Sequence, residues 1–260
     1  MGKVLIIFGS KSDEKVFYRI AEIFKKSNIP YDLHVSSAHR SPEEVDEIIA
    51  ADYSIIIAGA GLSAALPGVV AAKSIVPVIG VPVKSNYEGL DALLSAMQLP
   101  PGTPVLSVGV NQAEVAAQSA INMLKLREKV ILIGEDGHKA VEKAKKVLEH
   151  FSVPYEFSRH ADKDAVNIEF VYFDEPVEKK DELVIYCPLL LENDDTAEAA
   201  LNLLKHSVHG LWVGLESGEN AALAAIRILN IADDRYGPSL KKYKEEMRNK
   251  VVEDDKSLKR

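Results

Sequence analysis

Short apolar runs alternate with amphipathic segments along the first half of the chain. The runs at residues 4–8, 53–59 and 76–83 are apolar at almost every position, and weaker runs of the same kind lie at 31–35 and 104–110. Continuous apolar runs are typical of strands that are buried on both faces, as in a parallel sheet covered by helices. The pattern therefore predicts five parallel strands in this half.

Between these runs the spacing of apolar residues changes to that of helices. Amphipathic patterns lie in the intervals, at residues 12–27, 42–50, 63–73, 90–98 and 112–126. Alternating strands and helices predict an α/β fold of three layers with right-handed crossovers between parallel strands. In such a sheet, ligands bind beyond the carboxyl ends of the strands.

The second half of the chain repeats this outline. The segment "VLIIFGSKSDEKVFYRIAEIFKKSNIPYDL" aligns with "VILIGEDGHKAVEKAKKVLEHFSVPYEF", and "VGVNQAEVAAQSAINML" aligns with "VGLESGENAALAAIRIL". The offset falls from 125 residues (Gly9 to Gly134) to 105 residues (Gly109 to Gly214). The sequence thus predicts a tandem duplication whose second copy is about 20 residues shorter in its middle. The alternative is two unrelated α/β units that share a common strand-glycine-helix pattern.

We place the boundary after Arg127, which gives domains of residues 1–127 and 128–260, although no low-complexity linker marks it. The second copy keeps few polar candidates, and Leu189–Leu191 would fill a pocket where the first copy has small residues. We therefore expect a structural role for it. Near the C-terminus, Pro238 suits a helix start, and the charged residues that follow suit a solvated or partner-covering helix.

Composition limits the classes of function. A chain of 260 residues with 47% hydrophobic residues can bury a substantial core, and its net charge of −8 argues against a nucleic-acid partner. No apolar run reaches the ~18 residues of a membrane span. The single cysteine, Cys187, excludes an intrachain disulfide and fits a reducing compartment, so we expect a cytoplasmic protein without membrane contact.

Two polar loops follow predicted strands. In "GSKSDE", Ser10, Ser12 and Asp13 lie where a helix begins, so they either bind an anion at free N–H groups or simply cap the helix. In "VSSAHRSPEE", Ser41 alone explains the cap of the next helix, which leaves His39 and Arg40 without a structural task. A histidine can carry a proton near neutral pH, and a guanidinium binds phosphate; a surface pair is the alternative.

A third loop, "AGAGLSAALPG" at residues 58–68, is rich in small residues. Small side chains would let a ligand approach the backbone and the start of the following helix, although close packing of helix on strand would need the same residues. The three loops together indicate a site more strongly than any one of them. No glycine-lysine-serine/threonine motif is present, so ATP hydrolysis is unsupported.

The segments "GSKSD", "SAHRSPE", "AGAGLSAALPGVVAAKSIVPVIGVPV" and "LDALLSAMQLPPGTPV", in this order and spacing, resemble the PurE family of N5-carboxyaminoimidazole ribonucleotide mutases. The resemblance covers residues 3 to about 126. It implies a flavodoxin-like three-layer fold that uses neither a metal nor an organic cofactor. It also implies movement of a carboxyl group from the exocyclic nitrogen of a phosphorylated ribonucleotide to ring carbon C4, through CO2.

The resemblance further implies roles for individual residues. His39 would carry the proton, and Ser10 with the backbone of Gly59, Ala60 and Gly61 would hold the carboxyl group or CO2. Arg40, Ser12 and Ser37 would bind the phosphate, and Asp13 the ribose hydroxyls. The other residues expected to line the substrate site are Gly9, Ala38, Leu66 and Pro67.

One position departs from the family pattern. Ala65 stands where the family loop has a second histidine, just before Leu66 and Pro67. Three functions therefore stay open: the mutase, ranked first because of Arg40 and "MQLPPGTPV"; direct carboxylation of aminoimidazole ribonucleotide by CO2; and a non-catalytic nucleotide-binding or regulatory protein. The family forms octamers, so a tandem chain is expected to assemble as a homotetramer that imitates an octamer.

Overall fold

The structure is a computed structural model that describes residues 2–172, 177–191 and 193–258. Strands and helices alternate through the first half, as the pattern predicts. In chain order they are β1 (Val4–Phe8), a short 3-10 helix (Lys11–Asp13), α1 (Glu14–Lys26), β2 (Tyr31–Val35), α2 (Pro42–Ile49), β3 (Ile55–Ala60), α3 (Ala65–Lys73), β4 (Val78–Pro82), α4 (Leu90–Met97), β5 (Leu106–Ser107) and α5 (Ala113–Met123).

The described residues of the second half form the same number of strands as the first half but fewer helices. Its elements are β6 (Val130–Ile133), α6 (Lys139–His150), β7 (Tyr155–Phe157), β8 (Val166–Val171), β9 (Val184–Pro188), α7 (Thr196–His206), β10 (Leu211–Trp212), α8 (Gly218–Leu229) and α9 (Gly237–Leu258). Among these described helices none has both the length and the hydropathy needed to cross a membrane.

The strands of the described residues form one sheet of ten strands, in the order β2-β1-β3-β4-β5-β10-β9-β8-β6-β7. Neighbouring strands are parallel except at the centre, where β5 and β10 pair antiparallel through Ser107 and Trp212. Each half therefore has the strand order 2-1-3-4-5 of flavodoxin-like folds, and their carboxyl ends lie at opposite edges of the sheet.

Helices cover both faces of this sheet. Within β1, Val4, Ile6 and Phe8 belong to the core on one face, which also contains residues of α1, α5, α6 and α8. Leu5 and Ile7 belong to a separate core on the opposite face, under α2 and α3. The continuous apolar run of β1 thus serves two cores, and the predicted three-layer α/β fold is confirmed.

The two halves also match in local backbone geometry. After β5 and after β10 the chain passes through a left-handed residue, Asn111 with φ 60° and Glu216 with φ 57°. The side chain of each accepts a hydrogen bond from the loop after the neighbouring strand, from Lys84 N at 3.0 Å and from Leu190 N at 2.9 Å. Such irregular details have no reason to coincide in unrelated units. They support the tandem duplication, which stays a hypothesis.

The shortening of the second half lies in two connections. The described residues form no helix between β7 and β8, where α2 stands in the first half, or between β8 and β9, where α3 stands. The prediction that Leu189–Leu191 replace the small-residue loop is wrong. These leucines follow β9, which occupies the place of β4, whereas the small-residue loop follows β3. The counterpart of that loop begins at Tyr172 and continues outside the described residues.

The expected C-terminal helix is α9, and it contacts both halves of the chain. Its Tyr243 packs on Phe151 with ring centroids 5.5 Å apart, and its Met247 lies against Gly102 of the first half. Eleven of the twelve residues of α8 are buried, and α8 packs on α6. The corresponding helix α5 packs on α1 and carries exposed polar residues such as Gln118.

The predicted boundary does not coincide with a loose linker. Arg127 is only 4% exposed, and its guanidinium donates to Ala165 O at 3.0 Å and to Asn122 Oδ1 at 2.7 Å. Burial lowers the pKa of this arginine. The segment between α5 and β6 is therefore fixed to both halves, and the division after residue 127 stays a prediction.

Asn220 of α8 also joins the halves. Its amide accepts from Gly102 N at 3.0 Å and donates to the carbonyl oxygens of Leu99 and Pro100, and the residue is 3% exposed. We expect Asn220→Ala to lower the free energy of unfolding by about 2–4 kcal/mol, because buried backbone groups would lose their partners. Urea unfolding measures this difference. Asn193→Ala, in an exposed turn, is the control, and an equal effect of both variants would contradict the prediction.

Candidate active site

The loop after β1 forms a compact group of hydroxyl and carboxyl oxygens. Ser10 precedes the 3-10 helix, and its Oγ accepts a hydrogen bond from Ser12 N at 3.2 Å. The hydroxyl of Ser12 lies 2.7 Å from Ser10 Oγ and 3.0 Å from Asp13 Oδ1, so it can donate to either oxygen. Ser10 thus caps the helix, and this part of the structural alternative is correct.

Asp13 does not act as a cap. It precedes α1, yet its carboxylate makes no capping bond to that helix. The side chain is 9% exposed, and burial raises the pKa of the carboxyl, an effect that the hydrogen bond from Ser12 partly offsets. A buried acceptor at the carboxyl edge of a strand suits the hydroxyl groups of a ligand.

The loop after β2 is a tight turn of serine residues. Ser41 precedes α2 as predicted, but its hydroxyl does not cap that helix. Instead Ser41 Oγ accepts from Ser37 N at 3.0 Å and lies 2.9 Å from Ser36 Oγ. The prediction that the Ser41 side chain caps α2 is therefore wrong, because this hydroxyl bonds within the turn before the helix instead. Ala38 is partly buried and packs toward the core under α2.

His39 and Arg40 are both exposed at the tip of this turn. Ser37 Oγ accepts from the backbone N–H groups of both residues, at 3.4 Å and 3.3 Å, which leaves its own O–H free to donate. The Arg40 guanidinium donates to Gly9 O at 3.2 Å and so joins this loop to the first one. Within the described residues no hydrogen bond engages the imidazole of His39. The side chain is therefore accessible to a ligand.

The loop after β3 is joined to the same edge. Gly9 N donates to Gly59 O at 2.9 Å, and β3 is the neighbour of β1 in the sheet. A Cβ on Gly59 would lie 2.1 Å from the ring of Phe8, and one on Gly61 would lie 3.3 Å from Val83 O. Packing alone therefore requires glycine at 59, which is buried, whereas the partly exposed Gly61 presents only backbone atoms. The three predicted loops meet at one edge of the sheet.

The start of α3 has free backbone donors. Ala64 precedes the helix and offers no side-chain cap, so the first N–H groups of α3 are uncapped. Leu66 is 2% exposed, and its side chain and that of Pro67 are buried. Leu66 can therefore contribute only its N–H to a ligand, and Pro67 has no N–H to donate. Ala60 O is occupied by a bond from Val83 N at 2.9 Å.

The sequence patterns did not indicate two residues of the site region, Ser85 and Asp91. Both bind the backbone of Leu62 and Ser63, which have left-handed conformations with φ of 41° and 52°. Ser85 Oγ accepts from Leu62 N at 3.2 Å, and Asp91 Oδ2 accepts from Ser63 N at 3.1 Å. Ser85 and Asp91 both follow β4, the next strand in the sheet, and this position after a strand could have indicated them. In the described part of the chain, no three His, Cys, Asp or Glu side chains are grouped so as to hold a metal ion.

Residues 3–133 match the family model described as AIR carboxylase. The chain belongs to the AIR carboxylase family. The match includes all three loops of the site and ends with the last residue of β6, so it assigns the first half of the chain. The resemblance found in the motifs is thereby confirmed.

Relatives of this family are close in sequence. The N5-carboxyaminoimidazole ribonucleotide mutase of Methanocaldococcus jannaschii is 46% identical over 129 residues, which cover 49% of this chain and 82% of the relative. The enzyme of the same name from Escherichia coli is 43% identical over 134 residues, covering 49% of this chain and 79% of the relative. Among solved structures, PurE from Treponema denticola aligns at 28% identity with a TM-score of 0.43, over 47% and 79% of the two chains.

Proposed function

We propose that the first half of this chain converts N5-carboxyaminoimidazole ribonucleotide to 4-carboxy-5-aminoimidazole ribonucleotide, a carboxyl transfer in purine biosynthesis. The observation that carries this proposal is the meeting of the three family loops at one edge of the sheet, joined by the bonds from Arg40 to Gly9 and from Gly9 to Gly59. Relatives that share 43–46% identity with this region carry the name of that mutase.

The charged and polar groups of the site suit the substrate. Arg40 supplies a fixed cation for the phosphate, and Ser12 and the free O–H of Ser37 add hydrogen bonds. The buried carboxylate of Asp13 accepts from the ribose hydroxyls. These groups come from the loops after β1 and β2, so the phosphate and ribose lie across those two strand ends. The base then points toward the loop after β3.

The reaction itself needs a proton carrier and a place for CO2. The bond between the exocyclic nitrogen and the carboxyl carbon breaks, and His39 as imidazolium gives that nitrogen a proton. Ring carbon C4 attacks the CO2, and the neutral imidazole of His39 then takes the C4 proton, so the residue ends as it began. Ser10 and the backbone of Gly59, Ala60 and Gly61, with the uncapped N–H groups of α3, hold the CO2.

Ala65, the first residue of α3, has no group that can titrate. Direct carboxylation of aminoimidazole ribonucleotide removes the C4 proton but gives no proton to the exocyclic nitrogen, so the lack of a titratable group at residue 65 favours it as the second candidate. The family model also bears the name AIR carboxylase.

Rates measured side by side decide between these candidates. We expect turnover of N5-carboxyaminoimidazole ribonucleotide at low bicarbonate, and a much smaller rate with aminoimidazole ribonucleotide plus bicarbonate. Activity with the second pair alone would replace the mutase by the carboxylase. Nucleotide binding without turnover of either would identify a regulatory protein.

We also propose that the chain assembles as a homotetramer that imitates an octamer of single domains. Two large apolar side chains beside the site support a covering partner, since Leu62 is 62% exposed and Tyr87 is 79% exposed. We expect light scattering to give about four times the mass of the chain. A monomer at micromolar concentration would contradict this assembly.

A further inference from the structure

Asp91 stands out because one of its carboxylate oxygens is buried and has no hydrogen-bond partner in the described structure. Buried polar atoms without a partner are rare and lower stability, so each requires an explanation. Asp91 forms no ion pair within the described residues, and Lys84 of the same connection pairs with Glu88. Neither an ion pair nor a hydrogen bond to this oxygen therefore explains why Asp91 is at this position.

The other oxygen of Asp91 has a specific task. Carboxylates are common in the first turn of a helix, where they favour the free N–H groups of that helix. Asp91 lies in the first turn of α4, but its Oδ2 accepts from Ser63 N, 28 positions earlier in the chain, at 3.1 Å. This oxygen of Asp91 therefore holds the loop after β3.

The conformation of the loop after β3 depends on contacts with residues outside the loop. Leu62 and Ser63 are consecutive non-glycine residues in the left-handed region, which costs conformational energy and persists only where surrounding contacts impose it. Ser85 and Asp91 accept the N–H groups of these two residues, one each. Because the N–H groups of Leu62 and Ser63 are bonded in this way, the chain turns directly into α3. The first N–H groups of α3 itself are uncapped.

We propose that Asp91 is a positioning residue for the carboxyl transfer: through Ser63 it sets the loop so that the uncapped N–H groups of α3 face the carboxyl group or CO2. The inference rests on the proposed function of the site. Asp91 acts on the CO2 side of the reaction alone, because phosphate and ribose contact the loops after β1 and β2. Loss of Asp91 therefore lowers kcat and lets CO2 escape, while KM for the ribonucleotide stays nearly unchanged.

The test compares Asp91→Ala and Asp91→Asn in the full chain. The asparagine keeps an acceptor for Ser63 N, whereas the alanine does not. We expect Asp91→Ala to reduce kcat by about 10-fold or more and to release more aminoimidazole ribonucleotide per product formed, after subtraction of the decay without enzyme. We expect Asp91→Asn to stay within about 3-fold of the parent in kcat. KM should change by less than about 3-fold in both.

A matched control separates positioning from stability. Asp195 lies just before α7, and its Oδ1 accepts from Ala197 N at 2.7 Å and Glu198 N at 3.3 Å, at the opposite edge of the sheet. Asp195→Ala removes a carboxylate that holds backbone N–H groups away from the site. It should lower the melting temperature at least as much as Asp91→Ala does and leave kcat unchanged.

Hydrogen exchange at Ser63 provides a readout that does not depend on turnover. The Ser63 amide should exchange at least about 10-fold faster in Asp91→Ala and at nearly the parental rate in Asp91→Asn. Equal kcat in the parent and Asp91→Ala, or equal losses in the alanine and asparagine variants, would overturn the proposal. If the parent turns over neither substrate, the proposed function fails. Unchanged exchange at Ser63 would then reject the positioning role by itself.

Discussion

His39→Asn should reduce turnover of N5-carboxyaminoimidazole ribonucleotide by about 10³-fold, because general acid–base catalysis by a positioned side chain contributes ~10²–10⁴-fold and no other imidazole is present in the three site loops. The side chain is exposed and makes no hydrogen bond within the described residues, so its removal leaves the packing unchanged. Steady-state rates and thermal unfolding, measured on the same preparation, test both parts of this expectation.

The second half of the chain supplies a matched control. His160 lies after β7, the counterpart of β2, and is exposed in a loop that also contains an arginine, Arg159. His160→Asn should leave the rate unchanged. If His39→Asn retains more than about a tenth of the parental rate while folded, His39 is not the proton carrier.

Arg40→Met should raise KM for the ribonucleotide by about 10–100-fold, because a hydrogen bond to a charged group contributes ~1.5–3 kcal/mol. The same change removes the bond to Gly9 O, so kcat should also fall as the first two loops separate. Arg40→Lys keeps the charge without the planar fork and should recover part of the binding. Initial rates over a range of substrate concentrations give both constants.

Arg159 beside His160 is the control for this variant. Arg159→Met removes an exposed arginine from the corresponding loop of the second half and should leave KM and kcat as they are. A parental KM for Arg40→Met would mean that the phosphate binds elsewhere, and Ser12 with the N-terminal turn at Lys11–Asp13 would be the next position to test.

Much of the first half follows from local patterns. β1 and β2 lie at the predicted residues, but only β1 is apolar and buried at every position, whereas β2 contains Asp32 and His34 and is partly exposed. The run at 104–110 contributes only the two residues of β5 to the sheet, since the rest of it forms connections. The three polar loops could be placed together because parallel neighbouring strands bring their carboxyl ends to one edge.

Other features depend on contacts between distant parts of the chain. The hydrogen bond from Ser63 N to Asp91 and the contacts of Asn220 with the loop after α4 join residues that are 28 and about 120 positions apart, so no local pattern indicates them. Ser41 illustrates the converse: the position of the cap was correct, but a neighbouring turn competed for the hydroxyl. The hydrogen bonds of a side chain depend on the contacts within the folded loop, whereas the start of a helix depends on the local sequence.

The two similar halves that meet at the antiparallel pair of β5 and β10 belong to one polypeptide. A substitution in one half is therefore not repeated in the other. In a symmetric dimer every substitution would appear in both partners and have to be tolerated in both environments. Arg227 of α8 shows this freedom: it is 4% exposed, burial lowers its pKa to about 10, and its counterpart on α5 is the neutral Asn122. One edge of the sheet can therefore be specialised for the proposed chemistry while the residues of the other half change independently.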